Sequence, residues 1–173
     1  MAMTPGLRKL VLTAHVTSSV GWLGAVAVFL ALAVAGLTSR DAQMVRAAYL
    51  ATDATTWYVI VPLAFTSLLI GAVNALGTPW GLFRHYWVLT KLVLTVLATI
   101  LLLVHTQPIG VVADAAADGT LSSADLRGLR IQLVADAGAA LLVLLVNTTL
   151  SVYKPPGLTP YGWRKQHEDP AVR

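Results

Sequence analysis

The sequence predicts an all-α protein, a polytopic membrane bundle of four transmembrane helices with both termini in the cytoplasm. Three observations predict this fold class. Hydrophobic residues make up 57% of the 173 positions and charged residues only 12%, whereas soluble domains usually carry about 25% charged residues. The apolar residues form long runs, and the charges fall in the gaps between them. The basic residues gather on one side of these runs, which indicates an orientation in the membrane.

Four apolar runs are long enough to cross a bilayer. They cover residues 10–37, 57–76, 86–105 and 131–152, and a helix needs about 20 residues to cross about 30 Å of hydrocarbon. Backbone groups in lipid must bond within their own segment, so each run is predicted to be a helix. The membrane domain is therefore assigned to residues 10–153. Residues 1–9 and 154–173 are then a cytoplasmic N-terminus and a cytoplasmic tail, with no room for an ordinary soluble domain.

A cleaved signal peptide is the rival interpretation of the first run. Ala33, Val34 and Ala35 resemble a cleavage site, but the apolar stretch is longer than the core of an ordinary signal peptide. We therefore expect the first run to remain as a transmembrane helix.

The second helix is expected to begin before its apolar run. Thr38 or Ser39 can cap it, and residues 42–56 contain no helix breaker. Pro62 is expected to kink this helix, because proline removes a backbone donor and its ring clashes with the preceding turn.

The later connections are expected to be irregular. Residues 106–121 are interpreted as a short ordered outer loop, after which Ser122 or Ser123 caps the fourth helix. The proline-rich tail from Lys154 onward cannot continue that helix, and its aromatic residues beside basic ones suit an anchor in the inner headgroup layer.

The basic residues are distributed unequally between the two sides of the bundle. One side holds Arg8, Lys9, Arg84, Lys154, Arg164, Lys165 and Arg173; the other holds Arg40, Arg46, Arg127 and Arg130. The positive-inside rule places the richer side, and with it both termini, in the cytoplasm. We therefore expect a multi-pass protein of the cell membrane, of the bacterial inner-membrane kind, with the lipid bilayer as its main partner. The net charge of +4 is dispersed near span ends and does not predict a nucleic-acid partner.

Polar residues inside the spans fall into two layers. Helical spacing puts one partly polar stripe on each helix, and on the second helix it comprises Asp53, Trp57, Ile60, Ala64, Ser67, Gly71 and Asn74. His15, Lys91 and Asn147 lie about 9–10 Å from the nearest basic residue at the cytoplasmic end. With Asn74 they form an inner layer.

Lys91 has no carboxylate at its depth, and three interpretations stay open. It can extend to cytoplasmic headgroups, meet an anionic group of a ligand, or pair with the amides of Asn74 or Asn147. For His15, the alternatives are a neutral imidazole bonded to a serine or threonine and a ligand of haem iron or of another redox-active group.

The outer layer contains His105 and Asp136, with Asp53 higher still. These three side chains are candidate ligands of a divalent cation, but no close-spaced ligand motif supports a metal site there. An interhelical pair of Asp136 and His105 is the expectation that we prefer. The absence of cysteine excludes disulfides, thiolate metal sites and cysteine nucleophiles.

The order of certain residues resembles a known family. His15 is followed by Trp22 and Gly24, Pro62 by Gly71, and Trp87 by Lys91. This order is similar to that of the HemJ-type membrane protoporphyrinogen oxidases and their relatives, the copper-resistance CopD-like domain and the uncharacterised DUF2269-type membrane proteins. The similarity covers three helices, from about Leu10 to His105.

The resemblance implies a four-helix bundle that binds haem or a porphyrin. In HemJ-type proteins the first-helix histidine and the third-helix lysine are needed for function, and the histidine is associated with b-type haem. These positions correspond to His15 and Lys91. Trp22, Trp87, Asn74 and Asn147 are then expected to border the cofactor. Two departures from the HemJ pattern, the long outer loop and the tail, favour the wider superfamily over the enzyme.

Three functions therefore remain open. They are a redox or porphyrin-binding protein, a transport or metal-handling module of the CopD-like kind, and a membrane interaction protein without chemistry, which could be a homo-oligomer. Copper pathways favour soft sulfur ligands. This chain has no cysteine, and Met1, Met3 and Met44 lie outside the predicted spans, which disfavours copper transport.

The orientation can be tested with reporter fusions. A fluorescent reporter at the C-terminus should be active, because we expect that end in the cytoplasm. A phosphatase that folds only outside the cytoplasm should be active when it is inserted between residues 106 and 130. The reverse pattern of activities would contradict the predicted topology and the inner and outer assignment of the layers.

Overall fold

The computed structural model describes residues 3–78, 81–121 and 124–168, and most of them are helical. The helices are α1 (Pro5–Thr38), α2 (Ala42–Thr55), α3 (Val61–Leu76), α4 (Tyr86–Ala117), α5 (Ala124–Tyr153) and α6 (Pro160–Glu168). A π-helical turn, Thr56–Ile60, joins α2 directly to α3. Ser122, Ser123 and Arg173, which the sequence analysis invokes, lie outside the described residues.

Four helical segments are long and apolar enough to cross a membrane. They are α1, the continuous segment Ala42–Leu76, α4, and α5 from Leu126 onward. The predicted class, an all-α protein with four membrane-spanning helices, agrees with this result. The structure extends every predicted span at one end or both, because the helices continue past the apolar runs into polar flanking sequence.

The spans pack in a ring. α1 packs against α2, α3 and α5, and α4 packs against α2, α3 and α5. Each span therefore contacts the spans before and after it, and the fourth span returns to the first, as in an up-and-down four-helix bundle.

The two ends of the bundle are filled differently. We call the end that carries Arg8, Arg84 and Lys154 the basic end. Toward the opposite end the interior is a packed apolar core, which includes Phe29, Ala33, Tyr49, Ile60, Ile109, Val112, Ala116, Leu133 and Ala137. Toward the basic end the interior holds a cavity, and Trp22 and Leu144 belong both to the core and to the cavity lining.

The π turn changes which residues of the second span face inward. Ile60, Ala64 and Ser67 are buried as the predicted stripe requires. Beyond the turn, however, the buried residues are Thr56, Thr52 and Tyr49 instead of Trp57 and Asp53. Trp57 is 48% exposed, so its assignment to the inward stripe is wrong.

The cause is a change of helical register. The amide of Val61 donates to the carbonyl of Thr56, five residues back, so the turn holds one residue more than an α-helical turn. The disturbance expected at Pro62 therefore takes the form of a π turn just before it. Pro62 itself is the second residue of α3, directly after the turn, and it lacks the backbone donor that an α-helix would use there.

The predicted outer loop is largely helical. α4 continues past Pro108 to Ala117, so the assignment of residues 106–121 to a loop is wrong. The residues after the proline explain the continuation, because Ile109, Val112, Ala113 and Ala116 recur at helical spacing and all are buried. Burial of this apolar face compensates for the backbone bond that Pro108 cannot make.

The cap of α2 also differs from the prediction. The carboxylate of Asp41 accepts a hydrogen bond from the amide of Gln43 at 2.9 Å, and the hydroxyl of Ser39 accepts one from the amide of Asp41 at 3.1 Å. Asp41 is thus the N-cap, and Ser39 supports it from outside the helix.

The tail leaves α5 as predicted and then packs on the start of α4. Lys154 has a φ of 44°, the left-handed conformation in which helices commonly end. The amide of Tyr86 then donates to the carbonyl of Gly157 at 3.3 Å, and the amide of Thr159 donates to the carbonyl of Arg84 at 3.0 Å. The helix α6, which the sequence analysis does not predict, follows.

A half-buried arginine joins three helices at the end opposite the basic end. The guanidinium of Arg130 donates to the hydroxyl of Tyr49 at 2.8 Å and to the carbonyl of Gly36 at 2.7 Å. It also lies 5.3 Å from the centre of the Tyr49 ring. The sequence analysis counts Arg130 only among the basic residues that indicate orientation, whereas the structure shows that it bonds from α5 to α1 and α2.

Gly36 provides a test of this junction. A Cβ added at Gly36 would lie 2.7 Å from the Tyr49 ring, whereas one added at Gly24, on the same helix, would meet no atom within 4 Å. Gly36→Ala should therefore destabilise the protein by about 1–3 kcal/mol. Gly24→Ala should be neutral or stabilising by up to about 1 kcal/mol. Thermal unfolding in detergent measures both, and equal stabilities of the two variants would contradict the packing described here.

Candidate functional site

The basic end of the bundle encloses a cavity of about 640 Å³. Known ligand pockets range from about 300 to 1,000 Å³. All four membrane-spanning segments contribute to its lining, and the residues that the sequence analysis assigns to a cofactor all lie on it: His15, Trp22, Asn74, Trp87, Lys91 and Asn147. The structure thus brings these six residues to one cavity.

Lys91 is held by a hydroxyl and not by an amide. Its ammonium donates to the Ser151 hydroxyl at 2.5 Å and lies 6.0 Å from the centre of the Trp87 ring. The Ser151 hydroxyl in turn donates to the Asn147 carbonyl at 2.8 Å. The pairing proposed with the amides of Asn74 or Asn147 is not what the structure shows. The sequence analysis does not pair Ser151 with Lys91. Ser151 lies one helical turn after Asn147 on the same face of α5, and this spacing could have indicated that it also faces Lys91.

His15 lies against a glycine of the facing helix. A Cβ added at Gly71 would lie 2.8 Å from Cε1 of the His15 ring, so the absence of a side chain there leaves room for the imidazole. The Nδ1 atom of His15 is buried and has no hydrogen-bond partner among the described residues. The hydroxyls of the neighbouring serines do not bond the ring: Ser18 donates to the His15 backbone carbonyl, and the hydroxyls of Ser19 and Ser67 pair at 2.8 Å. The Ser67 backbone, by contrast, lies close to the imidazole.

Asn147 presents an oxygen that nothing in the described structure satisfies. Its Nδ2 donates to the Thr95 hydroxyl at 2.9 Å. The proton of that hydroxyl is used to bond the Lys91 carbonyl at 2.8 Å, so the hydroxyl oxygen must accept from Asn147. This fixes the orientation of the amide. The Oδ1 atom is therefore the one left buried without a hydrogen-bond partner among the described residues.

The cavity has a positive lining. Arg8, Lys91 and Lys154 line it, and no aspartate or glutamate does so within the part of the chain that the structure describes. A buried cation is costly inside a membrane unless an opposite charge or several hydrogen bonds compensate it. Among the residues that the structure describes, the side chain of Lys91 has one neutral hydroxyl and one aromatic face for this purpose. The cavity is therefore chemically suited to an anionic group.

The outer layer consists of a simple pair. Nε2 of His105 lies 2.9 Å from a carboxylate oxygen of Asp136, and Nδ1 lies 2.7 Å from the Leu101 carbonyl. The predicted interhelical pair is therefore present. Within the described ranges no three histidine, aspartate or glutamate side chains come together, so Asp53 does not join the pair as a cation ligand.

Comparison with known proteins adds no identification, because no family model, no curated protein and no solved structure matches the chain. The resemblance to HemJ-type proteins and their relatives stays a prediction from the residues quoted from the sequence.

The outer pair should contribute little to stability. Asp136→Asn should lower the free energy of unfolding by about 0.6 kcal/mol, the average for interhelical polar contacts in membranes. Asp114→Asn, which changes an exposed carboxylate on α4, is the control and should have no effect. Unfolding in detergent and elemental analysis of purified protein measure the result. Stoichiometric metal that is lost in Asp136→Asn would show that the pair is part of a metal site.

Proposed function

We propose that this chain is a multi-pass membrane protein that binds b-type haem or a related porphyrin through His15 and Lys91, in a redox role. The observation that supports this most directly is the shared cavity. It combines an imidazole whose Nδ1 is buried without a hydrogen-bond partner in the described structure with an ammonium that no carboxylate of the described lining neutralises.

The residue types fit such a ligand. Imidazole is a common axial ligand of haem iron, and an ammonium group can bind a propionate. Trp22 and Trp87 supply large aromatic surfaces on the same cavity. A bound haem would supply one-electron chemistry. The residues of the chain would bind and orient it, and the surrounding apolar helices would keep bulk water away.

The supporting residues are positioned before any ligand arrives. Gly71 leaves space for the His15 ring, and Ser151 holds the Lys91 ammonium at one side of the cavity. Thr95 fixes the Asn147 amide so that its oxygen can accept a hydrogen bond. Such prior positioning reduces the entropy that binding must overcome.

We also propose that the protein lies in the cell membrane, of the bacterial inner-membrane kind, with both termini in the cytoplasm. The distribution of basic residues supports this orientation. The cavity would then lie in the cytoplasmic half of the bilayer. A homo-oligomer is compatible with the apolar outer faces of the helices, which lipid would otherwise cover.

The copper-handling alternative has less support. Copper pathways use soft sulfur ligands, and no methionine lines the cavity among the described residues. An interaction protein without chemistry would leave Lys91 without a compensating carboxylate in the described lining.

The proposed function predicts distinct effects of two substitutions. Purified wild-type protein should carry near-stoichiometric haem with a Soret band. His15→Ala should remove the haem, because it deletes the iron ligand, while the protein still inserts and folds. Lys91→Met should weaken binding less, because a propionate contact orients the ligand without ligating iron. His105→Ala is the matched control, since His105 is absent from the described lining of the cavity, and it should retain the wild-type spectrum.

Absorbance spectra and size-exclusion profiles measure these outcomes together. A colourless wild-type protein after expression with ample haem would refute the proposal. So would a wild-type spectrum in both His15→Ala and Lys91→Met. A histidine packed on Gly71 and a lysine bonded to Ser151 would then have only structural roles.

A further inference from the structure

The wall of the cavity is not closed to the same degree on all sides. On α3 and α4, every lining residue that the structure describes is buried or partly buried. The exposed lining residues are on α1 and around the end of α5, and they include Leu12, Val16, Val20, Thr148 and Val152. The open side of the cavity is therefore the side between α1 and α5.

Other contacts indicate which sides of α1 and α5 face each other. On α1, Gly21 faces Leu63 of α3, and Leu23 is two residues, or about 200°, farther round the helix. On α5, Asp136 pairs with a histidine of α4, and Val134 is separated from Asp136 by about the same angle. Because α2 and α3 form one span and α5 is the other neighbour of α1, Leu23 and Val134 lie on the facing sides.

A seven-residue repeat extends these facing sides along both helices. The bond from Arg130 to the Gly36 carbonyl fixes the relative height of the two antiparallel helices, which gives three levels with one residue from each helix: Leu30 with Val134, Leu23 with Leu141, and Val16 with Thr148. At the first two levels all four side chains pack partly buried against the apolar core. At the third level, nearest the basic end, Val16 and Thr148 are both exposed. The contact between α1 and α5 thus closes toward the packed end and opens beside the cavity.

The opening runs along the side of the bundle, and its edges are apolar. The lining extends from Arg8 to Val20, about 18 Å along α1, so the opening continues from the basic end into the depth of the hydrocarbon. Thr148, the polar residue at its edge, donates its hydroxyl proton to the Leu144 carbonyl at 2.9 Å. The edges therefore suit an apolar group, because a hydrated group would lose hydrogen bonds to water there without replacing them.

We propose that the cavity opens laterally into the bilayer between α1 and α5, and that its ligand enters and leaves through this lateral opening. The ligand class is then an amphiphile dissolved in the membrane, with an apolar body and an acid group. This inference rests on the proposed function, because it describes how the same cavity is filled.

The shape of the lateral opening suits such an amphiphile. Because the opening begins at the basic end, the acid group can stay near the headgroup layer, where a charge costs less than at the bilayer centre. The apolar body can meanwhile pass between Val16 and Thr148 without leaving an apolar environment. The ligand thus needs neither to carry its charge through the hydrocarbon nor to expose its apolar body to water.

The rate at which bound haem is released tests the lateral opening. The chain has no cysteine, so Val16→Cys and Thr148→Cys together introduce its only two thiols. The haem-bound double variant is placed in phosphatidylcholine nanodiscs and cross-linked with a bis-methanethiosulfonate reagent, which a phosphine reductant later removes. Excess apomyoglobin captures the released haem, and the change in the Soret band gives the release rate.

The cross-link should slow haem release about tenfold or more, because it adds a barrier to dissociation. Reduction should restore the original rate. The two single-cysteine variants are the matched controls, since they carry the reagent without a bridge and should release haem at the untreated rate. Val16→Trp, which narrows the opening without any reagent, should also slow release. Val28→Trp should not, since Val28 is similarly exposed on α1 but absent from the described lining.

The possible failures are distinguishable. Equal release rates before and after cross-linking would show that the ligand leaves by another route, which refutes the lateral opening and leaves the proposed function standing. So would a double variant that linkers of increasing length do not bridge, because its two positions would not face each other. A covalent dimer of Val16→Cys alone would show that a second copy covers the opening, and this also overturns the inference. If the wild type neither carries nor takes up haem, the proposed function fails and this inference fails with it.

Discussion

The structure depends on one constraint: a polar group within a membrane span needs a partner inside the protein. The hydroxyl side chains show how the chain meets it. Within the spans, several threonine hydroxyls donate to a backbone carbonyl three or four residues earlier. They belong to Thr52, Thr56, Thr66, Thr95 and Thr99. These hydroxyls are satisfied within their own helices. Against this background the buried atoms that have no hydrogen-bond partner within the described ranges are informative. Two of them, on His15 and Asn147, belong to residues of the same cavity.

The division of the bundle into a packed end and a hollow end follows from the same constraint. Where the inward residues are apolar, as around Phe29 and Val112, the helices close on one another and form a core. Where the inward residues include His15, Lys91 and Asn147, the helices surround the cavity. Arg130 joins α1, α2 and α5 at the packed end. The hollow end is held by the tail and the start of α4.

The number of spans and the residues of the candidate site were predictable, and the irregular segments were not. Helical spacing and depth from the basic residues place His15, Lys91 and Asn147 at one level, because both follow from helix geometry alone. The contact of Lys91 with Ser151 depends on which rotamer the surrounding helices allow, and spacing does not determine that. The helical course through Pro108 was missed because proline was given more weight than the buried face that follows it. The contacts of Arg130 do not follow from the sequence, because its partners, Tyr49 and Gly36, are distant along the chain.

The π turn has a consequence for how this chain can vary. It supplies the extra residue that turns Tyr49 toward Arg130 while Ser67 and Gly71 still face His15. Deletion of one residue between Thr56 and Ile60 would remove this extra residue and leave a regular α-helix whose two parts keep nearly the same faces. Deletion of one residue elsewhere between Tyr49 and Ser67 would instead rotate everything before it by about 100° and turn Tyr49 out of the interior. The number of residues between the arginine junction and the cavity is thus constrained outside the π turn, whereas the turn itself can lose a residue without turning Tyr49 away.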